Sequence, residues 1–166
     1  RVMTTGATAL GALVTAIVRA LVEELTPQAA DPGQLLGHLN RDLRAILRQS
    51  GTPMFTTAFY LVADLAENQI CYANAGHPRP FLIHRDAGTA EALQYPGGKA
   101  SPALGLFAGH EYPTARCPLR PDDAILLFSD GLYDLDGPKA DLFSHDWLLS
   151  EVQKRTRLPS VDLFAA

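Results

Sequence analysis

Asp130 closes an apolar run, Ala124-Ile125-Leu126-Leu127-Phe128, with only Ser129 between them, and Gly131 follows it directly. A carboxylate fixed at the end of a buried strand is suited to ligating a divalent cation, because the cation offsets the cost of taking that charge out of water. The glycine is expected to let the backbone turn sharply and a ligand approach. The alternative is an Asx-turn opened by Asp130, with no ligand at all. The second constellation is Tyr72-Ala73-Asn74-Ala75-Gly76-His77-Pro78. Here a strand runs into a turn of small residues bearing one Asn and one His. Gly76 is placed to supply a positive φ, and Pro78 stiffens the exit. Asn74, Gly76 and His77 are candidate substrate-binding residues, with His77 reaching a phosphate or a metal-bound water. The alternative is a structural, hydrogen-bonding histidine.

Other chemistry is unsupported. His38 is expected on a solvated helix face, His84 and His110 near strand ends, and His145 at a helix start. None forms the HxH or HxxxH pair of a histidine metal site. Cys71 and Cys117 make no CxxC, so neither a disulfide framework nor a zinc site is indicated and a reducing compartment is the default. Asp134-Leu135-Asp136-Gly137 shares the DxDG pattern of a phosphatase nucleophile loop, but Ser129 to Tyr133 separate it from the strand that such a loop needs. Read as an EF-hand from Asp130, the segment has Leu132 where a ligand belongs and no Glu at the twelfth position. Among 166 residues, 14 Lys and Arg against 18 Asp and Glu leave a net charge of −4, so no basic field is present to track nucleic acid. The most apolar stretch, Ala9 to Val18, has roughly half the length that a membrane-spanning helix requires. The chain starts at Arg1 and stops at Ala166 within an expected helix, which reads as an incomplete piece of a longer protein.

The positioning elements follow from periodicity. Leu10, Leu13, Val14, Ile17, Leu21 and Leu25 predict a mostly buried helix over about 9–25, with Thr15, Arg19 and Glu23 on its far side. Asp31 is an N-cap and Pro32 a first helical residue for a second helix. Its stripe is Leu35, Leu36, Leu39, Leu43, Ile46 and Leu47, its polar face Gln34, His38, Arg41, Asp42 and Arg48, and its C-terminal cap Gly51. Strands are expected at Phe55 to Ala63 and Gln69 to Ala73, joined by a turn at Asp64 to Asn68. A second hairpin joins Phe81 to His84 with Glu91 to Tyr95. Two more strands fall at His110 to Leu119 and Asp123 to Ser129, and the unbroken apolar run in the latter predicts burial on both faces. Ser144 caps a helix to Thr156, and another helix starts after Pro159. Helices, then strands, then helices is an α+β order.

Four segments together resemble the SpoIIE/RsbU-like branch of the PP2C-type (PPM) serine/threonine protein phosphatases. They are Met54-Phe55-Thr56-Thr57-Ala58-Phe59-Tyr60, the Tyr72 to Pro78 run, Pro102-Ala103-Leu104-Gly105-Leu106, and Leu126-Leu127-Phe128-Ser129-Asp130-Gly131-Leu132-Tyr133. The resemblance implies a two-sheet β-sandwich flanked by helices, here as one incomplete domain over 1–166 lacking N-terminal strands and a C-terminal strand. It implies a bacterial, cytoplasmic signalling enzyme with an upstream sensor or regulator. Such an enzyme removes phosphate from phosphoserine or phosphothreonine on an anti-sigma-factor antagonist or similar protein, using two Mn²⁺ or Mg²⁺ ions. By the same match, Asp130 is the catalytic metal ligand and Gly131 its neighbour in the metal site.

The departures from that family are specific. Its D-x-x-G-H-G motif is replaced: an ungapped match puts Met3 at the Asp and Gly6-Ala7-Thr8 at G-H-G, and a two-residue shift puts Arg1 at the Asp. The terminal D-D-x-T segment is missing too. One carboxylate does not hold two adjacent dications, so weak or absent activity is expected. Missing strands predict an exposed sheet edge, and with it poor solubility or dimerisation. The alternative is a degenerate PP2C-like protein-binding module without catalysis.

Overall fold

Described in the computed structural model are residues 9–25, 29–48, 55–132, 144–159 and 162. In chain order they form α1 (Ala9–Glu24), α2 (Pro32–Leu47), β1 (Ala58–Asp64), β2 (Gln69–Ala75), β3 (Phe81–His84), β4 (Thr89–Ala92), β5 (Ala115–Pro118), β6 (Ala124–Leu126) and α3 (His145–Gln153). They divide into two compact units, Arg1–His77 with Tyr95–Pro118, and Pro78–Gln94 with Leu119–Ala166. Each contains one three-stranded antiparallel sheet, ordered β1-β2-β5 in the first and β4-β3-β6 in the second.

In the first unit the capping chemistry is as the sequence predicts. Asp31 accepts hydrogen bonds from the Gly33 and Gln34 amides, and Pro32 opens α2 where its missing N–H does no harm. Thr114 adds a long-range clamp: its hydroxyl donates to Asp31 Oδ1 at 2.7 Å and accepts from the Gly33 amide at 2.8 Å. The chain passes so close to α2 here that a β-carbon on Gly33 would sit 2.1 Å from the Tyr112 carbonyl oxygen. Segment 110–113 therefore crosses the helix instead of extending β5, and Tyr112 enters the core. Leu35, Leu36, Leu39, Leu43 and Leu47 bury against Ala58, Ala73 and Ala75, whose small side chains admit the helix to the sheet.

Two helix expectations change. The buried stripe of α1 is Val14, Val18, Val22 and Leu25, with Ile17 and Leu21 only partly covered. Over the described side chains, Ile17 and Leu21 are thus less enclosed than expected, while those of Leu10 and Leu13 lie outside the description. On α2, Ile46 lies on the flank of the stripe and is exposed. Gly51, and the helix expected after Pro159, fall outside the described residues.

The second unit is built on the β3–β4 hairpin, in register from Phe81↔Ala92 to His84↔Thr89. Residues 85–88 form its loop, with Gly88 at φ +67°, so β4 starts two residues earlier than expected. Alternation places Phe81 and Ile83 with Ala90, Ala92, Ala124 and Leu126 on one face, where Phe128 and the α3 residues Leu148 and Val152 complete the core. Ser144 caps α3 by accepting from the Trp147 amide at 3.1 Å. β6 corrects an expectation: it spans Ala124–Leu126, and all three residues are half-buried. Among the described residues it is the last strand in the sheet order, with β3 as its neighbour, and beyond Leu126 burial resumes only at Phe128.

Candidate functional site

Three of the four segments that carry the family resemblance converge in the first unit. Thr56 and Leu104 form an antiparallel bridge, with the Thr56 amide 3.1 Å from the Leu104 carbonyl and the Leu104 amide 2.9 Å from the Thr56 carbonyl. Ala58 bridges to Gly76, which has φ +69°, as the sequence predicts. A methyl group on Gly76 would lie 3.0 Å from the Ala103 nitrogen and 3.1 Å from its Cα, so the backbone packs there where only glycine fits. Asn74 closes the turn: its Nδ2 donates to the His77 carbonyl at 2.8 Å and its Oδ1 accepts from the His77 amide at 2.9 Å. Asn74 and His77 are 3% and 2% exposed. The His77 ring lies 6.1 Å from that of Phe59, which stacks on Tyr72 at 5.5 Å. Both polar atoms of Asn74 are thus committed to shaping the turn.

Asn40 is the residue that sequence reasoning missed. It is 1% exposed and ties α2 to the loop after Leu104, donating to the Phe107 carbonyl at 2.9 Å and accepting from the Gly105 amide at 2.8 Å. The signal was present: position 40 lies four residues after Leu36 and three before Leu43, inside the apolar stripe. A polar side chain there must find buried partners.

Asp130 and Gly131 belong to the second unit. Phe128, buried against Phe81 at 4.7 Å, anchors the chain beyond β6. The His145 ring packs 4.8 Å from Phe81 and 5.8 Å from Phe128, and its Nε2–H donates to the Arg79 carbonyl at 2.9 Å. Asp130–Leu132 then form one exposed 3-10 turn, closed by the Leu132 amide on the Ser129 carbonyl at 3.2 Å. Among the described residues no hydrogen bond or ion pair holds the Asp130 carboxylate, so neither a side-chain-capped Asx-turn nor a guanidinium partner accounts for it. Gly131 is not in the left-handed region, and a β-carbon there would meet only Ser129 Oγ at an ordinary 3.5 Å. The turn is made without a positive φ at this glycine.

The family's dinuclear centre can be tested against these donors. Among the described residues no three of His, Cys, Asp and Glu lie close enough to hold a metal ion. Two adjacent dications need several anionic oxygens to balance them, so the described residues do not make a dinuclear site. Met3, Arg1, Gly6-Ala7-Thr8, Asp134 and Asp136 lie outside them.

A cavity of about 740 Å³ lies elsewhere in the first unit, lined by Gln34, Gly37, His38 and Arg41 of α2 and by Gly109 to Tyr112. His38 is half-buried there instead of facing water, and its Nδ1, like His110 Nε2, is enclosed without a hydrogen bond. At the margin of this cavity the Thr114 hydroxyl and the cap amides hold the Asp31 carboxyl below its ordinary 3.8, against the opposing effect of burial. Burial pushes the Tyr112 phenol up to about 12.

Two antiparallel sheets with flanking helices are the elements of the PP2C fold, and the comparisons identify the class. The family model for Stage II sporulation protein E (SpoIIE) matches residues 4–166, and the chain belongs to that family, a branch of the PP2C-type serine/threonine phosphatases. Phosphoserine phosphatase RsbP of Bacillus subtilis (strain 168) is 31% identical over 138 residues, which are 82% of this chain and 32% of the relative. The chain thus spans about a third of that protein's length. Among solved structures, the RsbU and RsbW domains of a Mycobacterium tuberculosis protein superpose with a TM-score of 0.75 at 22% identity, over 95% of this chain and 42% of that one. The SiaA-PP2C domain of Pseudomonas aeruginosa gives 0.75 at 21% identity, over 94% and 60%. The fold is therefore that of the PP2C phosphatases. No described helix is long and apolar enough to cross a membrane.

Proposed function

We propose that residues 1–166 form one SpoIIE-type phosphatase domain, and that the whole protein hydrolyses phosphoserine or phosphothreonine on a protein partner in bacterial signalling. An anti-sigma-factor antagonist is the expected substrate, the cytoplasm the expected location, and a sensor or regulator elsewhere in the protein the expected control. Asp130 is the metal-ligating catalytic carboxylate, with Gly131 beside it and Mn²⁺ or Mg²⁺ as the ion. These are hard cations that take oxygen ligands. The observation that carries this reading is the exposed Asp130 carboxylate, held in the turn that follows β6 and the buried Phe128 and free of protein partners among the described residues. In the first unit, Asn74, Gly76 and His77 serve substrate binding by fixing the shape of the turn, since the Asn74 amide is engaged by His77.

As it stands the chain should turn over little or nothing, because its described residues offer Asp130 without companion ligands. Two measurements test this: hydrolysis of p-nitrophenyl phosphate with Mn²⁺, and calorimetric titration with Mn²⁺, each comparing the chain with Asp130→Ala. Weak binding abolished by the substitution supports the assignment, and binding indifferent to it refutes the assignment. Robust, Asp130-dependent turnover would show that the chain holds further ligands. A protein-binding module without catalysis is favoured by one observation, the exposed Phe55, Leu106 and Phe107 flanking the Thr56–Leu104 bridge. The whole protein's sequence separates the two: an intact acidic motif supports the enzyme, and its replacement supports the module.

A further inference from the structure

One polar cluster of the second unit has no part in the site above. The β3–β6 register runs from Phe81↔Leu126 to Ile83↔Ala124, so His84 and Asp123 face each other one step beyond the last pair. His84 Nδ1 lies 2.9 Å from Asp123 Oδ1, and His84 Nε2 lies 3.5 Å from Glu91 Oε1 on β4. A carboxylate only accepts, so the Nδ1–H of the imidazole donates to it. The Asp123 side chain is 2% exposed, and its other oxygen accepts from the Arg120 amide at 2.8 Å. The intervening turn carries Pro121 followed by Asp122 at φ +63°, a conformation unusual for a residue with a side chain. Asp123 is thus a buried carboxylate satisfied by hydrogen bonds, with His84 as the side-chain donor.

His84 therefore joins all three strands from β3. It touches β4 through Glu91 and the start of β6 through Asp123. Among the described residues β6 has three residues and one neighbouring strand, so that ladder constrains it weakly. A one-residue slip would turn every side chain of β6 to the other face. It would also displace the chain beyond β6, where only Leu127, Phe128 and Ser129 precede Asp130.

We propose that His84 is a positioning residue for Asp130: by pinning Asp123 it fixes the register of β6 and so the place of the turn that carries the carboxylate. Its functional meaning rests on the assignment of Asp130 made above, whereas the pin itself does not. The test is amide hydrogen exchange followed by NMR in His84→Leu, which removes the donor, and His84→Asn, which retains an N–H near the position of Nδ1. His84→Leu should speed exchange of the β6 amides by at least about tenfold, as expected for losing a hydrogen bond to a charged group. It should also shift the amide resonances of Asp130, Gly131 and Leu132, while β1 and β2 keep their rates. His84→Asn should restore most of both effects. Unchanged β6 exchange in His84→Leu, a uniform acceleration across the chain, or no rescue by His84→Asn overturns the proposal. Should His84→Leu fail to fold, Asp123→Asn replaces it, with the same β6-selective acceleration expected and its absence equally decisive. Mn²⁺ added to the unsubstituted chain tests the other assignment separately. Absence of line broadening at Asp130 removes the ligand role and leaves the register result standing.

Discussion

Replacing Gly76 and Gly37 in turn by alanine should change stability in opposite directions. Gly76 is left-handed at φ +69°, and a methyl group there would press on the Ala103 backbone at 3.0 and 3.1 Å. The conformation costs an L-residue about 1–2 kcal/mol. Crowding against a buried neighbour adds about 1–3 kcal/mol, while the stiffer unfolded chain returns about 0.4–1 kcal/mol. Gly76→Ala should therefore destabilise by about 2–4 kcal/mol, lowering Tm by about 5–15 °C for a chain of this size. Gly37 lies inside α2, and a methyl group there meets nothing within 4 Å. Its replacement removes a flexible helix residue and should stabilise by about 0.5–1 kcal/mol. Thermal and urea unfolding followed by far-UV circular dichroism read both effects. A Gly76→Ala chain as stable as Gly37→Ala would refute the claim that the close approach of Gly76 to Ala103 holds the turn.

Asn74→Ala strands the amide and carbonyl of His77 in a buried site and should cost about 2–4 kcal/mol, measured by urea denaturation. Asp31→Asn should flatten the acid limb of the stability profile. The lowered carboxyl contributes fully above 3.8, and that contribution disappears as pH falls through the still lower folded-state value. At the alkaline end Tyr112 resists ionisation until about 12. Ultraviolet titration should show a late phenol that Tyr112→Phe removes, and stability should fall between about pH 10 and 12 as the unfolded chain loses that proton first. Asp122→Gly should raise Tm by a few degrees, about 2–4 °C per kcal/mol, because glycine adopts φ +63° without penalty; an unchanged or lowered Tm would count against strain in that turn.

Local signals were legible in the sequence wherever one residue dictates its own backbone. Asp31 with Pro32, Ser144, and Gly76 each set a cap or a turn as expected. Asp130 stood out only because an apolar run leads to it. The features that escaped depend on distant partners. Nothing near position 110 reveals that segment 110–113 crosses α2 at Gly33, because the Tyr112 carbonyl claims that space from across the fold. The half-burial of β6 depends on what packs over its two faces, which an unbroken apolar run does not encode. His84 read as an unremarkable strand-end residue, since Asp123 reaches it only through the register of β3 and β6.

The order in which strands are laid down bears on how the chain is made. β1 with β2 and β3 with β4 are neighbours in sequence and zip as hairpins. β2 must wait for β5, and β3 for β6. Ala115, the start of β5, follows Ala75, the end of β2, by 40 positions. At about 5–20 residues per second on a ribosome, that is a delay of roughly two to eight seconds. Through that interval the backbone of β2 keeps one side unpaired, a template for any other extended chain nearby. Slow translation between the two strands should therefore lower the yield of native protein, and a chaperone that covers bare strand edges should restore it.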